Sequence, residues 1–258
     1  MTNAIVLTGG ASGIGRAVLE KLLQQGRPLY NLDLRPSSLP QVIDVTCDLS
    51  EPTGIEQALQ KLPGAIEGLV HVAGVAPAMV SAMQVMKVNF LGMRYLNESL
   101  MPRMTPRGRI VIVASSIGRD WQENGERVNA LLDQPCFETG TDWLSTHLDS
   151  WDENPYKFSK QCAAAYTYRA AGLARAKQIG VNCVNPGIVE TQLSPWFREL
   201  VGPERYEHIN AQVGRPGRPK DMAGLICFLL SPESSWVNGV EISVDGGYWA
   251  GVVGGWLT

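Results

Sequence analysis

Short apolar runs punctuate the chain, each closing on a small or polar residue. They are Ala4 to Leu7, Leu29 to Leu32, Val42 to Cys47, Leu69 to Val72, Arg109 to Ala114, Val181 to Val184 and Val240 to Val244. Runs this short and continuous fit strands covered on both faces. Between them the period changes to that of a helix: Ile14, Val18, Leu22 and Leu23 before Gly26; the segment Gly54 to Leu62; and Val85, Val88, Asn89, Leu91 and Leu96 before Pro102. Further helices are read from Pro155 to Gln178 and from Pro219 to Leu230, with a polar, Pro/Gly-marked loop ahead of the latter. Strands alternating with helices predict an α/β fold: a doubly wound sheet of seven parallel strands with helices on both faces. No repeat or long linker divides the pattern, so one domain over 1–258 is expected.

Composition narrows the function classes. With 258 residues, 45% of them hydrophobic and a net charge of -3, the chain can fill a core but lacks the basic footprint of a nucleic-acid binder. Its five cysteines are dispersed without a Cys-x-x-Cys pair, which reads as reduced, mostly buried thiols. The three histidines are not at ligand spacing, so no metal is expected. No apolar run is long enough to cross a membrane, and Met1-Thr2-Asn3 leads into the first strand without a basic region. A cytoplasmic protein that binds neither membrane nor nucleic acid is the expectation.

The strand ends carry the chemistry. Gly9, Gly13 and Gly15 lie between the first strand and the first helix, where glycines let backbone approach a pyrophosphate and the helix N-terminus offers free N–H groups. Asp33 ends the second strand, placed to accept ribose hydroxyls and to repel a 2′-phosphate. Ser12 stands in the loop where a basic residue would favour the phosphorylated cofactor. NAD is therefore expected over NADP, with Arg35 close enough to pair with Asp33 or turn outwards. Tyr156 and Lys160, four apart, share one helix face. An ammonium beside a phenol favours the phenolate, which makes a general acid/base for an alcohol oxygen.

With these motifs in order, from Thr8-Gly9-Gly10-Ala11-Ser12-Gly13-Ile14-Gly15 through Asp33, Asp48-Leu49, Ala73-Gly74, Asn89, Ser115-Ser116, Tyr156-x-x-x-Lys160 and Asn185-Pro186-Gly187 with Thr191 to Asp245-Gly246-Gly247, the chain resembles the short-chain dehydrogenase/reductase family. The resemblance implies a Rossmann-type sheet and an oxidoreductase. It implies Tyr156 as general acid/base, Lys160 on the phenol and the nicotinamide ribose, Ser116 (with Ser115 as neighbour or backup) on the substrate oxygen, and Asn89 anchoring a water. It implies cofactor contacts at Gly9, Ser12, Gly13, Ile14, Gly15, Asp33, Asp48, Leu49, Ala73, Gly74, Pro186, Gly187, Val189 and Thr191, besides Tyr156 and Lys160. On the residues alone, Asn89 also suits a contact between helices and Thr191 a helix cap. His71 stands where the family has an asparagine, and a buried, hydrogen-bonded histidine is expected there.

Tyr156 follows Ser116 by 40 positions, far more than the family usually allows. Within the insert 117–154, Val128, Leu131 and Leu132, then Trp143, Leu144, His147 and Leu148, predict two helices parted by Gln134-Pro135. This resembles the bacterial 3α-hydroxysteroid dehydrogenase/carbonyl reductases. An insert there would cover the surface most relatives use for assembly, which implies a homodimer through the last helix and strand instead of a tetramer. Trp121, Trp151, Trp196 and Phe197 sit in the insert and in a lid at 190–218, either over a flat apolar substrate or as satellite core. The function expected is NAD-dependent interconversion of a secondary alcohol and a ketone on a hydrophobic steroid, terpenoid or aromatic compound. A sugar or polyol dehydrogenase, a nucleotide-sugar epimerase and a non-enzymatic dinucleotide sensor are the alternatives.

Overall fold

The computed structural model describes residues 3–148 and 154–257. Its sheet has seven parallel strands in the order β3-β2-β1-β4-β5-β6-β7. These are β1 Ala4–Thr8, β2 Leu29–Asp33, β3 Val42–Thr46, β4 Ile66–His71, β5 Met104–Val113, β6 Gly180–Pro186 and β7 Glu241–Val244. Alternation along each strand feeds two cores. Ile5 and Leu7 of β1, with Val111 and Val113 of β5, face α1 (Gly13–Leu23) and α10 (Pro219–Leu229). Val6, Ile110 and Ile112 point the other way, into a core shared with Phe90, Phe158 and Tyr166. Each such side chain contributes about 1.5–3 kcal/mol relative to staying in water.

The second core is roofed by α2 (Pro52–Gln60), by a helix built from α3 (Ala82–Met86), a π-helical turn (Lys87–Gly92) and α4 (Met93–Leu100), and by α7 (Pro155–Leu173). The insert adds α5 (Gly125–Leu132) and α6 (Phe137–His147), parted by Gln134-Pro135 as expected. Val128, Leu131, Leu132 and Leu144 are buried against this roof. Gly140 lets α6 approach: a Cβ there would come 2.7 Å from Leu91 Cδ2. Gln161 and Lys157 of α7 bind Asp120, and Arg169 binds Asp133, so the insert is bonded along α7.

Two expectations change. The stretch read as a polar loop before α10 holds α8 (Ser194–Val201) and α9 (Pro203–Gln212), each opened by a proline in its first turn. Helix α8 carries an apolar stripe, Trp196, Phe197, Leu200 and Val201, that is half-buried. Helix α7 ends at Leu173 instead of Gln178: a 3-10 turn follows, and Gln178 takes the left-handed φ of 56° usually held by glycine. The tail forms α11 (Tyr248–Gly254). No described helix is long and apolar enough to cross a membrane. Of the five free cysteines, only Cys136 is exposed.

Candidate active site

Strand order reverses between β1 and β4, which opens a crevice at their carboxyl ends, the position where such sheets bind ligands. Thr8 closes the floor, its Oγ1 accepting the N–H groups of Val72 and Ala73, both at 3.2 Å. The loop from Gly9 to Gly15 then folds tightly over it. Gly9 has φ of 82°, and a Cβ there would meet Ala73 N at 2.6 Å; one on Gly15 would meet the Gly9 carbonyl at 2.1 Å. Loop and β2 are tied by Gly10 N–H to Asn31 Oδ1 at 2.8 Å and Ala11 N–H to Asp33 Oδ2 at 3.1 Å. Ser12 precedes α1 without a capping bond from its side chain, so the first N–H groups of the helix remain available to an anion.

A cavity of about 500 Å³ runs along these strand ends. At one end it is lined by Gly9, Ser12, Gly13, Ile14, Asp33, Leu34, Arg35, Cys47, Asp48 and Leu49. In its middle are Val72, Ala73, Gly74, Val75 and Val113, and at the far end Ser115, Tyr156, Lys160, Pro186, Gly187, Val189, Thr191 and Phe197. The expected cofactor contacts are thus collected in one trough, apart from Gly15, which acts by packing under the loop. Asp33 Oδ1 also accepts the backbone N–H of Arg35 at 3.1 Å. Asp48 Oδ1 holds Ser50 through both N–H and hydroxyl. The extended shape, the glycine cradle and the unpaired N–H groups fit a dinucleotide.

Helix α7 begins at Asn154-Pro155, where Asn154 Oδ1 accepts the Tyr156 N–H at 2.9 Å. Tyr156 is 5% exposed, and burial pushes its phenol above the ordinary tyrosine range. The opposing influence is a hydrogen bond from Ser115, not the expected lowering by Lys160. Lys160 Nζ donates to the Val113 carbonyl at 3.1 Å and lies 5.6 Å from the Tyr156 ring centroid. Burial brings Lys160 down to about 8. At neutral pH the pair is thus a phenol beside an ammonium.

The serine is corrected too. Strand geometry continues through Ser115, with φ of -172°, and its hydroxyl meets Tyr156; Ser116 already begins a 3-10 turn and does not line the cavity. The turn is pressed onto α7: a Cβ on Gly118 would sit 2.5 Å from the Lys160 carbonyl carbon. Asn89 is spent on protein groups, its Oδ1 accepting Val75 N–H at 2.8 Å and its Nδ2 donating to Val75 O and Ser159 Oγ. Ser159, which the sequence did not single out, in turn donates to the Tyr156 carbonyl at 2.8 Å. Thr191 lines the cavity, and its Oγ1 accepts Leu193 N–H at 3.2 Å in the turn before α8 without capping the helix.

His71 is buried as expected, with Nε2 at 3.3 Å from Asn97 Oδ1 and its basicity lowered to about 4 by burial. It is neutral at physiological pH and lies outside the cavity lining. Of the aromatic residues, Trp196 and Phe197 pack on the Tyr156 ring. Trp121 is remote, its Nε1 donating to Glu241 Oε1 at 3.0 Å beside Tyr168. Trp151 lies outside the described residues.

Residues 3–126 match the family described as short chain dehydrogenase, and 142–249 the family described as Enoyl-(Acyl carrier protein) reductase. Coniferyl-alcohol dehydrogenase of Pseudomonas sp. (strain HR199 / DSM 7063) is 33% identical over 244 residues, covering 94% of this chain and 95% of that protein. The 3-alpha-hydroxysteroid dehydrogenase/carbonyl reductase of Comamonas testosteroni is 28% identical over 253 residues, covering 94% and 95%. The crystal structure of the 3-alpha-hydroxysteroid dehydrogenase from Pseudomonas sp. B-0831 complexed with NADH is similar at a TM-score of 0.77 and 29% identity, covering 97% of this chain and 98% of that one.

Proposed function

The chain belongs to the short-chain dehydrogenase/reductase family of oxidoreductases, and on that premise we propose that it interconverts an alcohol and a carbonyl on a hydrophobic substrate with NAD. The observation that carries this reading is the meeting of Tyr156, Ser115 and Lys160 at one end of a trough whose other end is Asp33. When bound, a nicotinamide dinucleotide supplies the hydride acceptor or donor. The glycine loop and the α1 N-terminus would hold its pyrophosphate, Asp33 its adenosine ribose, Asp48 and Leu49 its adenine, and Val189 and Thr191 its carboxamide.

The proton belongs to the protein. Tyr156 Oη gives a proton to the substrate oxygen in reduction and takes it in oxidation. Ser115 holds that oxygen and stabilises the phenolate. Lys160, still an ammonium at neutral pH, adds positive charge near it, and Asn89 fixes the Val75 segment against α7. The cavity wall of Val72, Val75, Met79, Val113, Leu193 and Phe197 favours an apolar substrate over a sugar.

NAD use rests on Asp33, which is held in place by two backbone N–H groups with a carboxylate facing the trough. Arg35 meets that carboxylate through its backbone. Wild-type protein is expected to form NADH from apolar alcohols with NAD and far less with NADP. Asp33→Ala is expected to shift the ratio of kcat/KM values toward NADP by about tenfold or more, the value of one desolvated charge contact. An unchanged ratio in steady-state assays would remove Asp33 from cofactor choice.

The homodimer is supported by what each face exposes. The insert lies over α4 and α7, while the C-terminal side leaves Trp236 99%, Val253 69% and Trp256 63% exposed. Light scattering is expected to give twice the 28.1 kDa chain mass. A tetramer assembled on α7 would contradict it. Cysteines held in no disulfide, four of the five buried, accord with a cytoplasmic location.

A further inference from the structure

The trough contains the cofactor contacts, and two aromatic rings pack on Tyr156 at its edge. Trp196 meets the Tyr156 ring at 5.1 Å between centroids and 63° between planes, and Phe197 meets it at 5.3 Å and 78°. The two also pack on each other, at 4.9 Å and 62°. Together they leave Tyr156 only 5% exposed. Tyr156 also lines the trough, so a substrate that reaches its phenol from there arrives against these rings, of which Phe197 shares the lining.

Their carrier is fixed at its foot and joined to α9 through Gly202 at its other end. Helix α8 buries none of its residues, and its ion pair, Arg198 with Glu207, has side chains 53% and 60% exposed. It ends at Gly202, with φ of 87° and open space around the Cβ position. Its foot is fixed: Ser194 Oγ donates to the Val189 carbonyl at 3.0 Å, Thr191 N–H donates to Ser194 Oγ at 2.7 Å, and Val189 bridges to Gly217. The rings can therefore swing on a fixed base without disturbing the cofactor contacts at Val189 and Thr191.

Resting on the dehydrogenase reading above, we propose that Trp196 and Phe197 are the specificity-determining residues of the site, and that they turn from the Tyr156 ring onto a flat aryl ring of the substrate. Edge-to-face contacts are exchangeable between rings of similar size. An aryl group restores the contacts that Tyr156 surrenders. A saturated ring fills the same space but lacks the quadrupole and restores only part of them. The substrate class is then an aryl-bearing alcohol or its carbonyl, ahead of an alicyclic one.

The test is the kcat/KM of cinnamyl alcohol relative to 3-cyclohexylpropanol, measured for wild type, Trp196→Ala, Trp196→Phe and Phe197→Leu. Wild type is expected to favour the aryl alcohol. Trp196→Ala and Phe197→Leu are each expected to lower the aryl preference about five- to tenfold, as loss of an aromatic pair predicts. Trp196→Phe is expected to restore most of it, and NADH affinity to stay within about twofold throughout. Phe197→Leu keeps an apolar side chain of similar size, so it reports even where Trp196→Ala folds poorly. Turnover of both alcohols with an unchanged preference in both variants overturns this inference alone. Absence of NADH or NADPH formation from either alcohol by wild type overturns the dehydrogenase reading and this inference with it.

Discussion

Tyr156→Phe is expected to bind NADH as the parent does and to turn alcohol over at least about 10²-fold more slowly. That factor corresponds to about 2.7 kcal/mol at the transition state. The substitution removes one oxygen from a ring whose other contacts survive. Trp196 and Phe197 still meet the ring edge-on, and the helix start depends on the Tyr156 backbone N–H bonded to Asn154. The glycine loop and Asp33 lie at the opposite end of the trough and lose nothing. What disappears is the group proposed to exchange a proton with the substrate oxygen. Lys160 is a poor substitute: its Nζ is bonded to the Val113 carbonyl at 3.1 Å, away from the trough mouth. NADH titration by fluorescence and initial rates on one alcohol separate the two effects. Turnover within about threefold of the parent would remove Tyr156 from proton transfer.

The phenol also shows where sequence reasoning reached its limit. Four-residue spacing places Lys160 on the same face as Tyr156, and so it is found. Spacing does not reveal that Tyr156 is covered by residues forty positions later in the chain. Burial by Trp196 and Phe197 raises the phenol, whereas the lysine side chain turns to a β5 carbonyl. The sheet was more legible because strand periodicity is local: Ile5 and Leu7 against Val6, and Ile110 and Ile112 against Val111 and Val113, sort into two cores as alternation requires. Gly9 and Gly15 were legible for a similar reason, since no other residue fits their contacts. Helix α8 was hidden because it spans only eight residues between Pro and Gly punctuation, so its stripe of Trp196, Phe197, Leu200 and Val201 covers barely two turns. Trp121 stayed open between lid and satellite core because an indole in an insert reads the same whether it faces a ligand or packs on the core beside Glu241, as it does.

Ser115→Ala is expected to lower kcat/KM about 10²-fold, and Ser116→Ala to stay within about threefold of the parent. The two serines are adjacent and chemically identical, so sequence pattern alone does not separate them. Backbone direction decides between them. Extended geometry at Ser115 keeps the strand going and delivers its hydroxyl to Tyr156; at Ser116 the chain has already entered the 3-10 turn through Gly118. That turn has little freedom to rotate Ser116 inward, because Gly118 lies against the α7 backbone at Lys160 and Gln161. Removing the Ser115 hydroxyl leaves the substrate oxygen one donor short and deletes the hydrogen bond that opposes the burial-driven rise of the phenol. The second effect has its own signature. In the Ser115→Ala variant the ascending limb of the pH–rate profile for oxidation should move to higher pH, since a phenol harder to ionise supplies less phenolate at any given pH. A variant that merely disturbed packing would lower the rate without moving that limb. Equal losses in the two alanine variants would return the substrate oxygen to both serines. A loss confined to Ser116→Ala would mean that the loop after β5 rearranges when cofactor and substrate arrive.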